Sequence, residues 1–358
     1  MSYPVPSTPP GEALTLPTPT PRFLPAGTLA LTAAAALVVS TVVPASAEPA
    51  IEPYTAADNV EIIFDATEVD VPGSSSALDA EDALAESVID DVLDFRSTEL
   101  STLDAQDRDV RVDIRETSDD AAFGVAIVTA PEVEGEEPYA WLFAAELDSD
   151  GWEVGLEGTE EFSEILAGSD LMDTEQRETV AASTDPEQIS PMAYTGVGLP
   201  FSIGTSMVMT GGPHGFSSGP PYSSVDFAGG NGQARAARGG YAYSLCSGWT
   251  RVIHDNGYST DYYHLEDYQW LPGNNVGVGH YLGTQGNSLC AGGSTTGAHI
   301  HFALRAYTDP NAAGWYVGLG GRTLGGWTFV EGAAYGGYAY RNGVGTVYPG
   351  GSLYNYGF

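Results

Sequence analysis

The chain of 358 residues carries 48 acidic side chains against 12 basic ones, all arginine, for a formal net charge of −36. That balance excludes nucleic acid and other polyanions as partners of the chain as a whole. The charge is also unevenly spread: residues 48–190 hold 40 Asp and Glu with 5 Arg, whereas residues 191–358 hold 7 with 6.

The first 47 residues read as a targeting segment. A polar, Pro-rich start carrying Arg22 leads to an apolar run from about Leu29 to Val43, then to Ala45-Ser46-Ala47, whose small residues suit cleavage after Ala47. A retained membrane anchor is the alternative, but the apolar run is short and rich in alanine. The expected product is secreted, with no stable membrane insertion after processing.

Residues 48–190 are expected to be an acidic prosegment that folds. Ala77 to Leu100 has the pattern of a helix, with Leu84, Val88, Val92 and Leu93 at helical spacing. Phe123 to Val128 reads as a strand, and Tyr139 to Leu156 as a hairpin around Asp148-Ser149-Asp150-Gly151. That turn resembles the start of a calcium loop but lacks the later ligands and the closing glutamate. A small α+β domain of about 110 residues can bury a core. The segment follows the leader directly and contains none of the candidate metal-site residues discussed below. It is therefore expected to cover the active groove until a cut near Ile189-Ser190-Pro191, where the charge density collapses.

Residues 191–358 hold 36 of the 45 glycines, in brief aromatic-rich strands bounded by Asn-Gly, Gly-Gly and Pro-Gly turns. This predicts one domain of antiparallel β-structure, without helix-length amphipathic patterns. No heptad or large apolar face argues for anything but a monomer. Cys246 and Cys290 both lie in this exported part and are expected to pair. Closing their 44-residue separation is worth roughly 4 kcal/mol in the chain-entropy picture.

Histidines are scarce, only 6 in the chain, and two share Gly297-Ala298-His299-Ile300-His301-Phe302-Ala303-Leu304. Alternation of Ile300, Phe302 and Leu304 with His299, His301 and Ala303 is the period of a half-buried strand, which sends both imidazoles to one face. Asp226 alternates with Val225 and Phe227, and a loop of small and turn residues separates it from His214. His264 closes Tyr262-Tyr263-His264-Leu265 on the returning arm of a hairpin whose turn is Asp255-Asn256-Gly257. Two neutral imidazoles and one carboxylate suit a tetrahedral Zn²⁺ that keeps a position open for water. His254, beside the hairpin turn, reads as a solvated turn residue, and His280, among glycines, as structural.

The order His214, Asp226, His264, His299-Ile300-His301 resembles the LytM/lysostaphin-type zinc metallopeptidases, nearest to their staphylolysin and β-lytic endopeptidase branch. The resemblance covers roughly residues 192–358. It rests on Gly-Gly-Pro-His at 211–214, Tyr-Ser-Ser-Val-Asp at 222–226, Tyr-Tyr-His-Leu at 262–265 and the run from Ser294 to Phe302. It implies a lysostaphin-like split β-sheet with a groove, and zinc on His214, Asp226 and His301. It further implies that His264 and His299 orient water and stabilise the tetrahedral intermediate, without saying which is the base. A tyrosine of the C-terminal stretch, with Tyr335 preferred to Tyr338, would add an oxyanion donor. Two departures stand out: alanine at 298, where the family often has proline, and a long loop between His214 and Asp226.

The activity so implied is endopeptidase cleavage of bacterial peptidoglycan cross-links, often at glycine-containing bonds, with elastin-like Gly-Gly substrates also open. The prosegment would be the inhibitor. Competing readings are a zinc DD- or LD-carboxypeptidase, a non-catalytic wall-binding or amidase-activating module, and a structural zinc domain.

Overall fold

The computed structural model describes residues 75–95, 108–185, 194–217, 219–307 and 314–358. The expected targeting segment and the expected cut near residue 190 lie outside them. None of the helices among the described residues is long and apolar enough to cross a membrane.

The acidic region opens with α1 (Ser75–Phe95). Its Leu84, Val88, Ile89 and Val92 recur at helical spacing and are buried. The stripe packs on a four-stranded antiparallel meander of β1 (Val110–Thr117), β2 (Ala121–Val128), β3 (Tyr139–Leu147) and β4 (Trp152–Leu156). The β3–β4 turn is a tight one in which Asp148 Oδ1 accepts from the amides of Asp150 and Gly151. Two helices that the sequence pattern did not single out follow, α2 (Glu160–Gly168) and α3 (Thr174–Thr184). The first is only nine residues long, though Phe162, Ile165 and Leu166 form a short buried stripe, and the second has little apolar periodicity. Local capping starts them, with Thr159 accepting from the Phe162 amide and Asp173 from that of Gln176.

The glycine-rich region begins with β5 (Tyr194–Val197), β6 (Ser206–His214), β7 (Ser224–Ala228) and β8 (Gln233–Arg235). Next come β9 (Gly240–Cys246), β10 (Trp249–Ile253), β11 (Tyr258–Tyr263), β12 (Pro272–Val276), β13 (Tyr281–Thr284) and β14 (Ile300–Ala306). The short strands β15 (Trp315–Tyr316), β16 (Thr323–Leu324), β17 (Trp327–Val330), β18 (Tyr338–Arg341), β19 (Gly345–Val347) and β20 (Ser352–Tyr354) complete it. A nine-stranded sheet runs β12-β9-β10-β11-β14-β7-β6-β20, with β15 beside β14. A second sheet, β19-β18-β17-β16-β5, contains a parallel pair, β5 with β16, which corrects the expectation of antiparallel pairing throughout. Those two strands come from opposite ends of the region, so no hairpin dictates their direction. Cys246 and Cys290 are bonded, tying the end of β9 to the loop that precedes β14.

The two regions share buried surface. Tyr139 and Trp141 of β3 stack on Trp315 with ring centroids 5.0 and 5.3 Å apart. Gln176 donates to the Tyr243 hydroxyl at 3.0 Å. Deeper still, Arg251 on β10 is forked onto Asp261 of β11 at 2.7 and 2.8 Å and also bonds Glu157 of the acidic region, all fully buried. Tyr307 donates to the same Glu157. A paired charge network of this kind contributes little net stability, but leaving one member unpaired costs several kcal/mol. It therefore selects one docking geometry.

His254 is also buried, contrary to its reading as a solvated turn residue. Its Nδ1 donates to Gly239 O and its Nε2 accepts from Thr260 Oγ1, both at 3.0 Å. It lies under the hairpin rather than on it, where burial lowers its pKa to about 4 and keeps it neutral. His280 is partly exposed and bonds Gln269, away from the site.

Candidate metal centre

Three neighbouring strands carry the centre. His214 ends β6, Asp226 lies in the middle of β7, and His301 is the second residue of β14. Register places His301 directly opposite Asp226, while irregularities in the β6–β7 pairing bring His214 in from the other side. Gly211 is required here, because a Cβ on it would sit 2.5 Å from Asp226 Oδ2. The alternating partners Val225, Phe227, Ile300 and Phe302 are fully buried, so packing of one sheet face aims the polar side chains out of the other.

Three donor atoms converge. Asp226 Oδ1 lies 3.5 Å from His214 Nε2 and 3.2 Å from His301 Nδ1, and those two nitrogens are 3.4 Å apart. Ligands held tetrahedrally around Zn²⁺ at about 2.0–2.1 Å are about 3.3 Å from one another. Buried Asp226 Oδ1 has no hydrogen-bond partner of good geometry, as expected of an atom reserved for a cation. The residues present therefore fit a zinc-sized ion.

Their ionisation fits as well. Burial pushes the Asp226 carboxyl up, but His214, His301 and His299 around it outweigh burial and hold it well below the usual range. Burial lowers His301 to about 3 despite the Asp226 carboxylate beside it. Neutral imidazole and ionised carboxylate are the forms that bind a metal. His214 Nδ1 donates to Gly212 O at 2.7 Å, which commits its proton there and leaves Nε2 as the donor atom.

Two more imidazoles face the cluster. His264 follows β11 in a left-handed conformation, φ +66°, which directs its ring back toward the site. Its Nδ1 donates to Ser288 O at 3.0 Å, so Nε2 carries no proton, and burial lowers its pKa. His299 lies one residue before β14, in a bridge to Gly286. Its Nδ1 donates to Gly297 O at 2.8 Å, and its Nε2 is 3.5 Å from Asp226 Oδ1. Tyr335, also left-handed at φ +63°, stacks on His214 at 4.1 Å between centroids. Burial and the carboxylates of Asp226 and Glu137 raise its pKa to about 12, so the phenol remains a proton donor at neutral pH. Tyr338 instead packs its ring, tilted, against Tyr340 and Tyr348.

The cleft over the centre is walled by Thr210, Gly211, Tyr335 and Ser294 to Ala298, but also by Glu134, Gly135 and Glu137 of the acidic region. The acidic region thus lines the cleft, although none of its residues is among the three converging donors. Glu137 Oε1 lies 3.6 Å from His264 Nε2. Burial, and then the nearby Asp226, push its carboxyl well above the ordinary range. A glutamate in an acidic loop distant in sequence carries no signal that could have singled it out.

No family model matches the chain. Among curated proteins, it is 34% identical over 119 residues to the beta-lytic metalloendopeptidase of Lysobacter enzymogenes, spanning 30% of this chain and 67% of that one. It is 35% identical over 117 residues to Protease LasA of Pseudomonas aeruginosa, but that match spans only 28% of the relative's length. A solved deep-sea M23 metalloprotease, pseudoalterin, is 34% identical and is covered over 97% of its chain and 44% of this one, with a TM-score of 0.40. The fold and the cluster are those of a β-sheet metallopeptidase, and the chain belongs to the LytM/lysostaphin-type metallopeptidase family.

Proposed function

We propose that residues 191–358 are a zinc metalloendopeptidase that hydrolyses peptide bonds in bacterial peptidoglycan cross-links, glycine-containing ones in particular. It would be secreted by way of residues 1–47 and kept latent by residues 48–190. The observation that carries this reading is the set of three donor atoms spaced 3.2–3.5 Å beside two further imidazoles of defined tautomer. The peptidoglycan substrate comes from the family resemblance.

In this reading His214, Asp226 and His301 hold the zinc, which when bound supplies Lewis-acid activation of water and of the scissile carbonyl. The chain's own groups do the rest. His264 Nε2, unprotonated and without a hydrogen-bond partner, is placed to accept a proton from the attacking water. His299 has the same tautomer and can share that role or hand the proton to the leaving amine. The Tyr335 hydroxyl, protonated at neutral pH, donates to the developing oxyanion. The near-neutral charge of this half lets it approach an anionic wall.

The test is to process the secreted chain, measure its zinc and digest purified peptidoglycan, with His301→Ala alongside. One zinc per chain and new internal amino termini, both lost in the variant, are expected. Release of single terminal residues alone would replace the endopeptidase with a carboxypeptidase. Zinc retained in full by the variant would remove the site.

A further inference from the structure

The segment of residues 286–292, between β13 and β14, touches both imidazoles that face the metal cluster. Ser288 O accepts the His264 Nδ1 proton at 3.0 Å. Gly286 exchanges both main-chain hydrogen bonds with His299, each 3.1 Å long. A neutral imidazole places its proton according to the partners its two nitrogens find. Without the Ser288 carbonyl, a proton on buried Nδ1 would have no acceptor, and nothing would keep it off Nε2.

The β9–β10 turn is what keeps Ser288 there. Cys290 is bonded to Cys246 at the end of β9, and Ser288 Oγ donates to Ser247 O at 2.6 Å. Gly248 O accepts from the Leu265 amide at 2.9 Å. The fit is close: a Cβ on Gly248 would lie 2.3 Å from Leu265 O and 2.7 Å from the Ser288 side chain. This turn therefore holds both the residue after His264 and the residue that accepts its proton. His264 itself is left-handed at φ +66°, a conformation that persists where surrounding contacts impose it. Tyr263 Oη donates to Gly292 O at 2.7 Å and ties the far end of the segment. In the full-length chain the acidic region braces it again. Arg111 donates to Cys290 O at 3.2 Å, and the Ala130 amide donates to Ala291 O at 2.8 Å. Both of those bonds go when the acidic region is removed.

We infer that Cys246, Cys290 and Ser288 are positioning residues for His264: they hold the Ser288 carbonyl on Nδ1, so that Nε2 stays free to take a proton from water in the processed enzyme. The inference rests on the proposed role of His264 as base. A disulfide needed only for stability could close any loop, whereas this one ends two residues from the carbonyl that sets the tautomer.

The test is made on the processed enzyme carrying Cys246→Ser and Cys290→Ser together. It should keep its zinc, with KM within about 2-fold, while kcat falls about 10–100-fold, as for a base displaced but not removed. Nuclear magnetic resonance of isotope-labelled histidine gives a readout besides activity. His264 should be the Nδ1-protonated tautomer in the unaltered enzyme, and its two ring-nitrogen shifts should converge in the variant as the tautomers mix. His254 and His299 give their Nδ1 protons to Gly239 O and Gly297 O, and should keep their tautomer. Reducing and alkylating the bond in the folded enzyme, with zinc replenished, should reproduce both changes and answers any folding defect of the variant. Unchanged His264 shifts and kcat in both preparations would overturn the inference and leave the metal site standing. Loss of a defined tautomer at all three histidines together would reduce the disulfide to a structural staple, which also overturns it. An unaltered enzyme that shows the expected His264 tautomer but cleaves no peptide would overturn the proposed function instead, with the hold on the tautomer intact.

Discussion

Arg251 is held by two carboxylates, and the two regions supply one each. Asp261 sits opposite it in the β10–β11 register and grips it as a fork from within the glycine-rich region. Glu157 reaches it from the acidic region and would leave with that region on processing. The metal cluster repeats the arrangement: Asp226 is built into the sheet, while Glu137 arrives on a loop of the acidic region. The excess charge of the acidic part thus includes two buried side chains that reach into the other part.

The comparison breaks first at the metal. His301→Ala should lose the metal and at least about 1000-fold in turnover of the processed enzyme, measured by metal analysis and peptide release. If metal and activity both survived, Asp226 and its neighbours would be a structural cluster. Next, His264→Ala should keep the metal while turnover falls about 10²–10⁴-fold, the range for losing a general base. Loss of metal in that variant would move His264 among the ligands.

The contrast between Asp261 and Glu157 sharpens with Glu157→Ala. It leaves Arg251 and Arg305 short of a buried counter-charge and should destabilise the full-length chain by about 3–5 kcal/mol in denaturant unfolding. The processed enzyme should be indifferent to it, whereas Asp261→Ala should weaken both forms. Equal unfolding midpoints for the Glu157 variant and the unaltered full-length chain would deny Glu157 this role.

The smallest effect belongs to His254. Its folded pKa of about 4 lies below the ordinary 6.5, so the unfolded chain takes up its proton first. Stability from this group is complete above about pH 6.5 and declines as pH falls toward about 4, by about 3 kcal/mol at most. His254→Asn should flatten the stability profile across that window, and an unchanged slope there would assign acid sensitivity to other groups.

The residues that spacing and resemblance singled out, His214, Asp226, His264, His299, His301 and Tyr335, do come together in space. Strand alternation made this legible, because Val225, Phe227, Ile300 and Phe302 had to be buried and so declared where Asp226 and His301 would point. The α1 stripe, the β3–β4 turn and the disulfide were local or compartmental signals of the same sort. The helix α3 offered too little apolar periodicity, and α2 only a three-residue stripe, Phe162, Ile165 and Leu166, on a nine-residue helix.

Sequence by itself determined the charge division, the β-rich second half and the donor types available for a metal, since composition and period are local properties. Tertiary structure alone decided that His254 is buried, that β5 runs parallel to β16, and that Glu157 and Glu137 cross from one region into the other's sites. Each of these depends on contacts between segments far apart in the chain. A residue's own neighbours in sequence carry no trace of the side chain that will face it after folding.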